Sequence, residues 1–118
     1  MFLQNLTPHP LVFKTEEGGE LTVQPAGFLA RCEEFSSPTG EITVDGVAIP
    51  VISKAFGEIE GLPNPVRGTI YVVSALAAQA AWRAGRVADV FCPGDPIRDA
   101  EGKIVGCRSL CASPDYKG

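Results

Sequence analysis

The sequence has no concentrated basic region, and this limits the partners it can be expected to have. Its ten lysines and arginines are scattered along 118 residues and are outnumbered by 14 acids, which gives a net charge of −4. Binding to the phosphates of a duplex requires a basic surface, so duplex nucleic acid is not expected as a partner. The only histidine is His9, and any imidazole chemistry would have to use it.

The sequence also has no apolar run long enough to span a bilayer. The longest apolar stretch runs from Ile70 to Trp82, and Ser74 and Gln79 interrupt it. The first ten residues have neither a basic segment nor a sustained apolar run, so a secretory signal is not indicated. We therefore expect a cytoplasmic protein that does not bind membranes.

Four cysteines are present, but no two are spaced as in a zinc knuckle. The nearest pair, Cys107 and Cys111, is too loosely spaced to indicate a metal site. In a cytoplasmic chain these thiols, which include Cys32 and Cys92, are expected to be reduced and at least half-buried. The sequence has no phosphate-binding loop and no dinucleotide fingerprint, so no cofactor is expected.

The length and composition predict one domain, residues 1–118, of the α+β class. Hydrophobic residues make up 45% of the chain, which is enough for a core, while 13 glycines and 10 prolines indicate many turns and short strands. The predicted architecture is a sheet of short strands and hairpins with one principal helix packed on it.

The stretch from Gly68 to Arg83 is expected to organise the fold. Residues 70–73 are β-branched or aromatic and uncharged, which is typical of a strand covered on both faces. Ser74 stands where a helix N-cap belongs, and the alanine-rich run after it predicts a helix over residues 75–84. Residues 88–92 predict another strand, and a crossover through the helix would make it parallel to the first.

The remaining strands are predicted from turn signals. The Asp45-Gly46 pair between two apolar runs is a strong hairpin signal, and Pro50 indicates that its strand lies at an edge or bulges there. A strand is predicted at 28–35. Further hairpins are predicted at 10–24 and around Asp99–Gly102. Loops or irregular connections are expected at 36–40, 56–65 and 93–96.

A ligand site is predicted where the helix begins, because helix N-termini present free amides to anions. Ser74, the loop that holds Cys92 and Asp95, and Arg98 would surround a small anionic ligand of nucleotide type. Gln79 is added as a polar group on the helix, and His9 would lie at the edge. The predicted ligand-binding residues are therefore His9, Ser74, Gln79, Cys92, Asp95 and Arg98.

Each of these residues also has a purely structural interpretation. Ser74 is a common helix cap, and the arginines of the C-terminal half would form surface pairs such as Arg86 with Asp89. A histidine between two prolines commonly fixes a turn. A Ser74 nucleophile with His9 as its base would indicate a hydrolase, but no nucleophile-elbow signature surrounds Ser74.

Three segments together resemble a family of small uncharacterised proteins of bacteriophages and bacterial genomes. They are the opening Asn5-Leu6-Thr7-Pro8-His9, the middle segment from Gly61 to Ser74, and the close from Arg98 to Cys107. The resemblance spans most of the chain and implies no agreed activity. It implies a phage or prophage setting.

These observations lead to three functional expectations. The first is a non-enzymatic binder of a small anionic ligand. The alternative is a protein-interaction module or a minor phage structural or assembly component, and a small hydrolase or transferase comes third. The edge strand near Pro50 makes a homodimer an additional expectation.

Overall fold

The computed structural model describes residues 1–118 and contains eight strands and one helix. No helix has the length and apolarity needed to cross a bilayer. The predominance of strand over a single helix confirms the predicted α+β class. In chain order the elements are β1 (Phe2–Asn5), β2 (Leu11–Lys14), β3 (Glu20–Val23), β4 (Arg31–Val44), β5 (Val47–Glu60), β6 (Thr69–Val72), α1 (Ala75–Arg83), β7 (Val90–Arg98) and β8 (Ile104–Cys111).

Six strands form one sheet in the order β1-β6-β7-β8-β2-β3. The pairs β1–β6, β6–β7 and β2–β8 are parallel, whereas β7–β8 and β2–β3 are antiparallel. The two outer strands approach each other, since Pro25 bridges to Asn5 and the amide of Ala26 donates to the Asn5 carbonyl at 2.8 Å. The sheet therefore curls until its edges nearly meet, as in a barrel.

The predicted strand-helix-strand unit is present at the centre of the chain. Tyr71, Val72 and Val73 are each no more than 2% exposed, as expected for a strand covered on both faces. Ser74 caps α1 by accepting a hydrogen bond from the amide of Ala77 at 3.3 Å. Gly85 follows the helix with a φ of 93°, which a glycine adopts without strain. The parallel pairing of β6 and β7 confirms the predicted crossover.

The core has one cluster on each face of this unit. Under α1, the helix alanines pack on Tyr71, Val73 and Val90, and the indole Nε1 of Trp82 donates to the Val90 carbonyl at 2.9 Å. On the other face Val72 packs with residues of β2 and β8. The small alanine side chains allow α1 to pack close to the sheet, and this close packing holds the nine-residue helix in place.

Strands β4 and β5 leave this body as a separate two-stranded ribbon, here called the arm. Each has 14 residues, and they pair only with each other. At about 3.4 Å per residue the ribbon is about 48 Å long. The longest dimension of the whole molecule is 55 Å. The arm is therefore the most extended feature of the molecule. Both of its strands contact α1, and Ile59 of β5 packs against the core under the helix.

Three expected loops are strand instead. Residues 36–40 belong to β4, where a bulge at Thr39 absorbs the irregularity, and residues 56–60 belong to β5. The segment from Pro93 to Pro96 lies within β7. Beyond Cys92, β7 has β8 as its only partner, so these prolines occupy an edge, where a missing N–H donor is tolerated. β1 was not predicted.

Candidate functional sites

A cavity of about 570 Å³ opens at the N-terminal end of α1. Ser74 lines it, together with residues 7 and 9–12 and residues of β7 and β8 that include Pro93, Gly94 and Cys107. The wall is predominantly apolar, with polar side chains from Thr7, His9 and Ser74. The size is within the range of small-molecule sites, and the few polar groups on the wall would orient a ligand.

The structure brings only part of the predicted ligand set to this cavity. His9 and Ser74 line it, and Cys92 and Asp95 flank the two lining residues Pro93 and Gly94. The Cys92 side chain packs in the core under α1. The Asp95 carboxylate accepts a hydrogen bond from the Ser109 hydroxyl at 2.8 Å, so it already has a partner.

The other two predicted residues lie elsewhere. Gln79 lines a shallow depression beside Trp82 and the C-terminal tail. Arg98 donates from Nη1 to the Gly102 carbonyl at 2.8 Å and stabilises the β7–β8 turn. No arginine or lysine lines the cavity. Of the anion-binding features predicted together, the cavity therefore has the helix N-terminus and the serine but not the guanidinium.

Ser74 and His9 share the cavity wall, which is the pairing that the hydrolase hypothesis requires. No aspartate or glutamate lines the wall to orient the imidazole. The Ser74 hydroxyl accepts from the amide of Ala77, as a helix cap does. The hydroxyl of Ser74 therefore has a structural role as the cap of α1.

The Asn5–His9 segment fixes the edge of the cavity through one buried side chain. The Asn5 amide is 1% exposed, and its Nδ2 donates to the carbonyls of His9 at 2.8 Å and Val23 at 3.1 Å. Its Oδ1 accepts from the amide and the hydroxyl of Thr7, at 3.0 and 2.6 Å. Asn5 therefore ties β1 to the end of β3, and the opening motif has a structural role in this chain.

The arm has one face on which apolar side chains cluster near the tip. Directly opposed residues of an antiparallel ribbon share a face, and the faces alternate along each strand. Val44 opposes Val47 and Ile42 opposes Ile49, so these four side chains lie together. They are 47–62% exposed. We call them the apolar face of the arm; Val51 and Phe35 continue it toward the base.

The opposite face of the arm is mixed. It carries the pair Thr43–Ala48 near the tip and, closer to the base, an ion pair of 2.8 Å between Lys54 and Glu34. Both ions are about half exposed, so the pair contributes little stability. The two faces of the arm thus differ in chemistry, although both are open to solvent.

The arm also carries a charge that equals the net charge of the chain. Residues 31–60 contain six acids and two bases, a net charge of −4, and the rest of the chain is neutral. The acids are Glu33, Glu34, Glu41, Asp45, Glu58 and Glu60, and the bases are Arg31 and Lys54. Ionic strength will therefore act on the arm more than on the body.

Two of the four thiols are perturbed by their surroundings. Burial raises the pKa of Cys107. The pKa of Cys92 is raised to about 11. Burial is the largest cause, and the charge and the hydrogen bond of the neighbouring Cys111 thiol act in the same direction. Cys92 is 6% exposed, whereas Cys111 is open to solvent. Both Cys92 and Cys107 are thus protonated at neutral pH and poor nucleophiles on their own.

Comparison of the chain with family models, curated proteins and solved structures gives no match. The phage-protein resemblance therefore stays a prediction. Two features with functional potential were missed by sequence reasoning: the length of the arm and the proximity of Cys92 to Cys111. The alternation of Ile42, Val44, Val47 and Ile49 was the available signal for the arm's apolar face.

Proposed function

We propose that the protein is a homotypic interaction module whose arm packs, apolar face to apolar face, against the arm of a second copy of the chain. The observation that carries this is the cluster of four half-exposed aliphatic side chains on a ribbon that otherwise has no partner. A contiguous exposed apolar patch commonly marks an interface. This is the interaction or assembly role that the phage-protein resemblance also suggests.

Packing through a face fits the arm better than pairing through its edges. Both strands of the arm are edge strands along their whole length, and each contains a proline, Pro38 and Pro50. A proline cannot donate to an added strand, and proteins use it at edges to block further pairing. The apolar face, in contrast, has no charged side chain that would prevent another protein surface from packing on it. The apolar face is therefore the surface of the arm that is open to association.

A second copy fits this face because the face is complementary to itself. In a dimer with a two-fold axis, the same surface patch of both chains forms the interface. Two apolar patches can pack on each other because neither needs an oppositely charged partner. Burying the exposed halves of four aliphatic side chains stabilises the complex by roughly 1 kcal/mol each, on both arms. That is about 8 kcal/mol, which competes with an association cost of about 4–15 kcal/mol.

The size of the arm predicts a weak dimer. A face about 48 Å long and about 10 Å wide covers roughly 500 Å². Two arms in full contact bury roughly 1,000 Å², at the lower limit of specific interfaces. We therefore expect a dimer that dissociates on dilution and is populated only at high protein concentration.

A matched pair of charge substitutions tests the proposal. Val47→Glu places a carboxylate on the apolar face, while Ala48→Glu places the same group one residue further, on the opposite face. We expect Val47→Glu to weaken dimerisation at least 30-fold, because a carboxylate would be desolvated without a partner, and Ala48→Glu to change it less than about three-fold. Sedimentation equilibrium over a concentration series measures both.

The charge of the arm adds a second readout. Two arms of net charge −4 repel each other, so added salt should tighten the dimer until repulsion is screened, over roughly 0.02–0.3 M. A monomer at all concentrations, or equal loss of association in both variants, would contradict the proposal. Association that weakens with salt would indicate a charge-paired interface instead.

The cavity favours a second candidate function, a binder of a small ligand with an anionic group at the start of α1. Its volume of about 570 Å³ and the polar side chains of Thr7, His9 and Ser74 on its wall support this role. The free amides at the start of the helix would face the anion, while the apolar wall would cover the rest of the ligand.

Two caps of similar geometry separate ligand binding from helix stability. Asparagine and aspartate cap helices about as well as serine does, but aspartate adds a negative charge at the cavity. In a thermal-shift screen of nucleotides, phosphorylated metabolites and anionic amphiphiles, the wild type and Ser74→Asn should gain several degrees with a true ligand, and Ser74→Asp should not. Equal gains in both variants, or none in the wild type, would contradict this function.

A further inference from the structure

Two cysteines from adjacent strands stand directly opposite each other in the sheet. Cys92 of β7 is the register partner of Cys111 of β8 in the antiparallel ladder. Opposed residues of such a ladder have Cα atoms about 4.5 or 5.5 Å apart, and both values lie within the range of disulfides, about 4.4–6.8 Å. The backbone spacing therefore already suits a bond between them.

The two side chains also point to the same side of the sheet. A Cβ atom built on Gly94 would lie 3.5 Å from the Cys111 Cβ, so Cys111 lies on the Gly94 face. Cys92 is two residues before Gly94 in the same strand and shares that face.

We propose that Cys92 and Cys111 form a reversible redox site that closes to a cross-strand disulfide. Cys111 is exposed and reacts first with a small disulfide oxidant, while Cys92 is buried beside it and resolves the adduct. The other two cysteines do not take part: Cys107 Sγ contacts the Val12 carbonyl at 3.7 Å, and Cys32 lies in the arm. Both Cys92 and Cys111 lie outside the arm.

With glutathione disulfide as oxidant the reaction balances in two exchanges. The Cys111 thiolate attacks one glutathione sulfur, a Cys111–glutathione bond forms, and one glutathione thiolate leaves. The Cys92 thiolate then attacks Cys111 Sγ, the Sγ–Sγ bond forms, and the second glutathione leaves. Two cysteines are oxidised, one glutathione disulfide is reduced to two thiols, and the two cysteine protons go to the leaving thiolates.

The bond would close a loop of about 20 residues that contains the β7–β8 turn and would hold the end of β8 on β7. Constraining such a loop in the unfolded chain should raise Tm by roughly 10–15 °C, unless strain in the folded ladder offsets part of it. The C-terminal tail follows Cys111, and its Tyr116 ring packs edge-on against Phe91 at 5.3 Å. Oxidation therefore also fixes the point from which the tail leaves the sheet.

The second exchange should be slow at neutral pH. In the Cys111–glutathione adduct the charge and the hydrogen bond of the Cys111 thiol are gone, but burial, the largest cause, still raises the pKa of Cys92. Its thiolate fraction therefore rises steeply with pH, and we expect the rate of ring closure from the purified adduct to rise about 50- to 100-fold between pH 7 and 9. A rate that does not depend on pH would show that Cys92 is not the attacking group.

The experiment is oxidation of the full chain in glutathione buffers, followed by mass spectrometry of the intact protein and its peptides. We expect the wild type and the double variant Cys32→Ser/Cys107→Ala to lose two hydrogens and to yield a peptide linking positions 92 and 111. Cys92→Ala should stop at one glutathione adduct on Cys111. Adducts that never close in the wild type, or a link that involves another cysteine, would overturn the proposal.

Discussion

Replacing Asn5 with alanine should lower the free energy of unfolding by about 3–5 kcal/mol. The substitution removes four hydrogen bonds and deprives the Val23 carbonyl and the Thr7 amide of the Asn5 side chain, while the Thr7 hydroxyl still donates to the His9 carbonyl at 3.1 Å. Each buried group left unsatisfied costs about 1–3 kcal/mol. For a domain of 5–15 kcal/mol total stability this is a large fraction.

The loss should exceed that of a neighbouring substitution on the same strand. Gln4 is half-buried in β1, and Gln4→Ala is the matched control, expected to cost less than about 1 kcal/mol. Asn5→Asp keeps the acceptor toward Thr7 but turns an oxygen toward two carbonyls in a buried site, so it should be at least as destabilising as Asn5→Ala. Urea unfolding of the three variants measures the series.

The position of Asn5 explains why the effect should be global. Its amide bridges β1 and the end of β3, the two edges of the curled sheet. If Asn5→Ala costs less than about 1 kcal/mol, the backbone contacts between Asn5, Pro25 and Ala26 would be sufficient to close the sheet, and the side chain would only shape the turn.

The parts of the fold predicted correctly depend on local chemistry. The helix was expected at 75–84 and spans Ala75–Arg83, because the Ser74 cap, the alanine run and Gly85 are signals read within one stretch of chain. The turn at Asp45-Gly46 was found for the same reason, and both residues have positive φ. Local signals of this kind do not depend on what the segment later packs against.

The length of the arm could not be predicted, because residues typical of turns lie within its strands. Pro38 and Gly40 indicate a loop in sequence, yet the ribbon passes through them because a free edge tolerates a proline and a bulge accepts the extra residue. Nothing in the local sequence shows that this edge stays free. The prediction of a loop at 36–40 was therefore wrong for a reason of topology.

The pairing of Cys92 with Cys111 could not be predicted, because it depends on the register between β7 and β8. If the strands joined directly across Asp99–Gly102, Arg98 would face Lys103 and Cys92 would face Ser109. In the structure Arg98 pairs with Ile104, and a further shift between Ile97 and Arg98 moves the register again, which places Cys111 opposite Cys92. A register shift of one residue changes every cross-strand pair beyond it, and the position of a bulge cannot be predicted from this sequence.

The candidate ligand site was predicted in part. Ser74 and His9 reach one cavity because the carboxyl end of β6 and the turn after β1 belong to adjacent parallel strands. Arg98 does not, because it lies at the far end of a nine-residue strand and bonds to its own turn. Proximity in sequence to Cys92 and Asp95 was a poor guide to proximity in space along an extended strand.

Gly61→Ala should destabilise the protein by about 3–4 kcal/mol, far more than Gly68→Ala. The two glycines have nearly the same φ, 82° and 81°, so backbone strain of about 1–2 kcal/mol is common to both. A Cβ at Gly68 meets nothing within 4 Å, whereas one at Gly61 would collide with the carbonyl oxygen of Leu29. The difference between the variants is therefore the cost of moving the Leu29 backbone.

That collision lies where the arm leaves the body. Leu29 precedes β4 and Gly61 follows β5, so the close approach of their backbones holds the two ends of the ribbon together. Thermal and urea unfolding of both variants will measure the difference, and equal losses would show that the Leu29 segment shifts without cost. If the arm acts as a rigid docking element, Gly61→Ala should also weaken dimerisation while Gly68→Ala does not, because only the first variant changes how the arm is aimed.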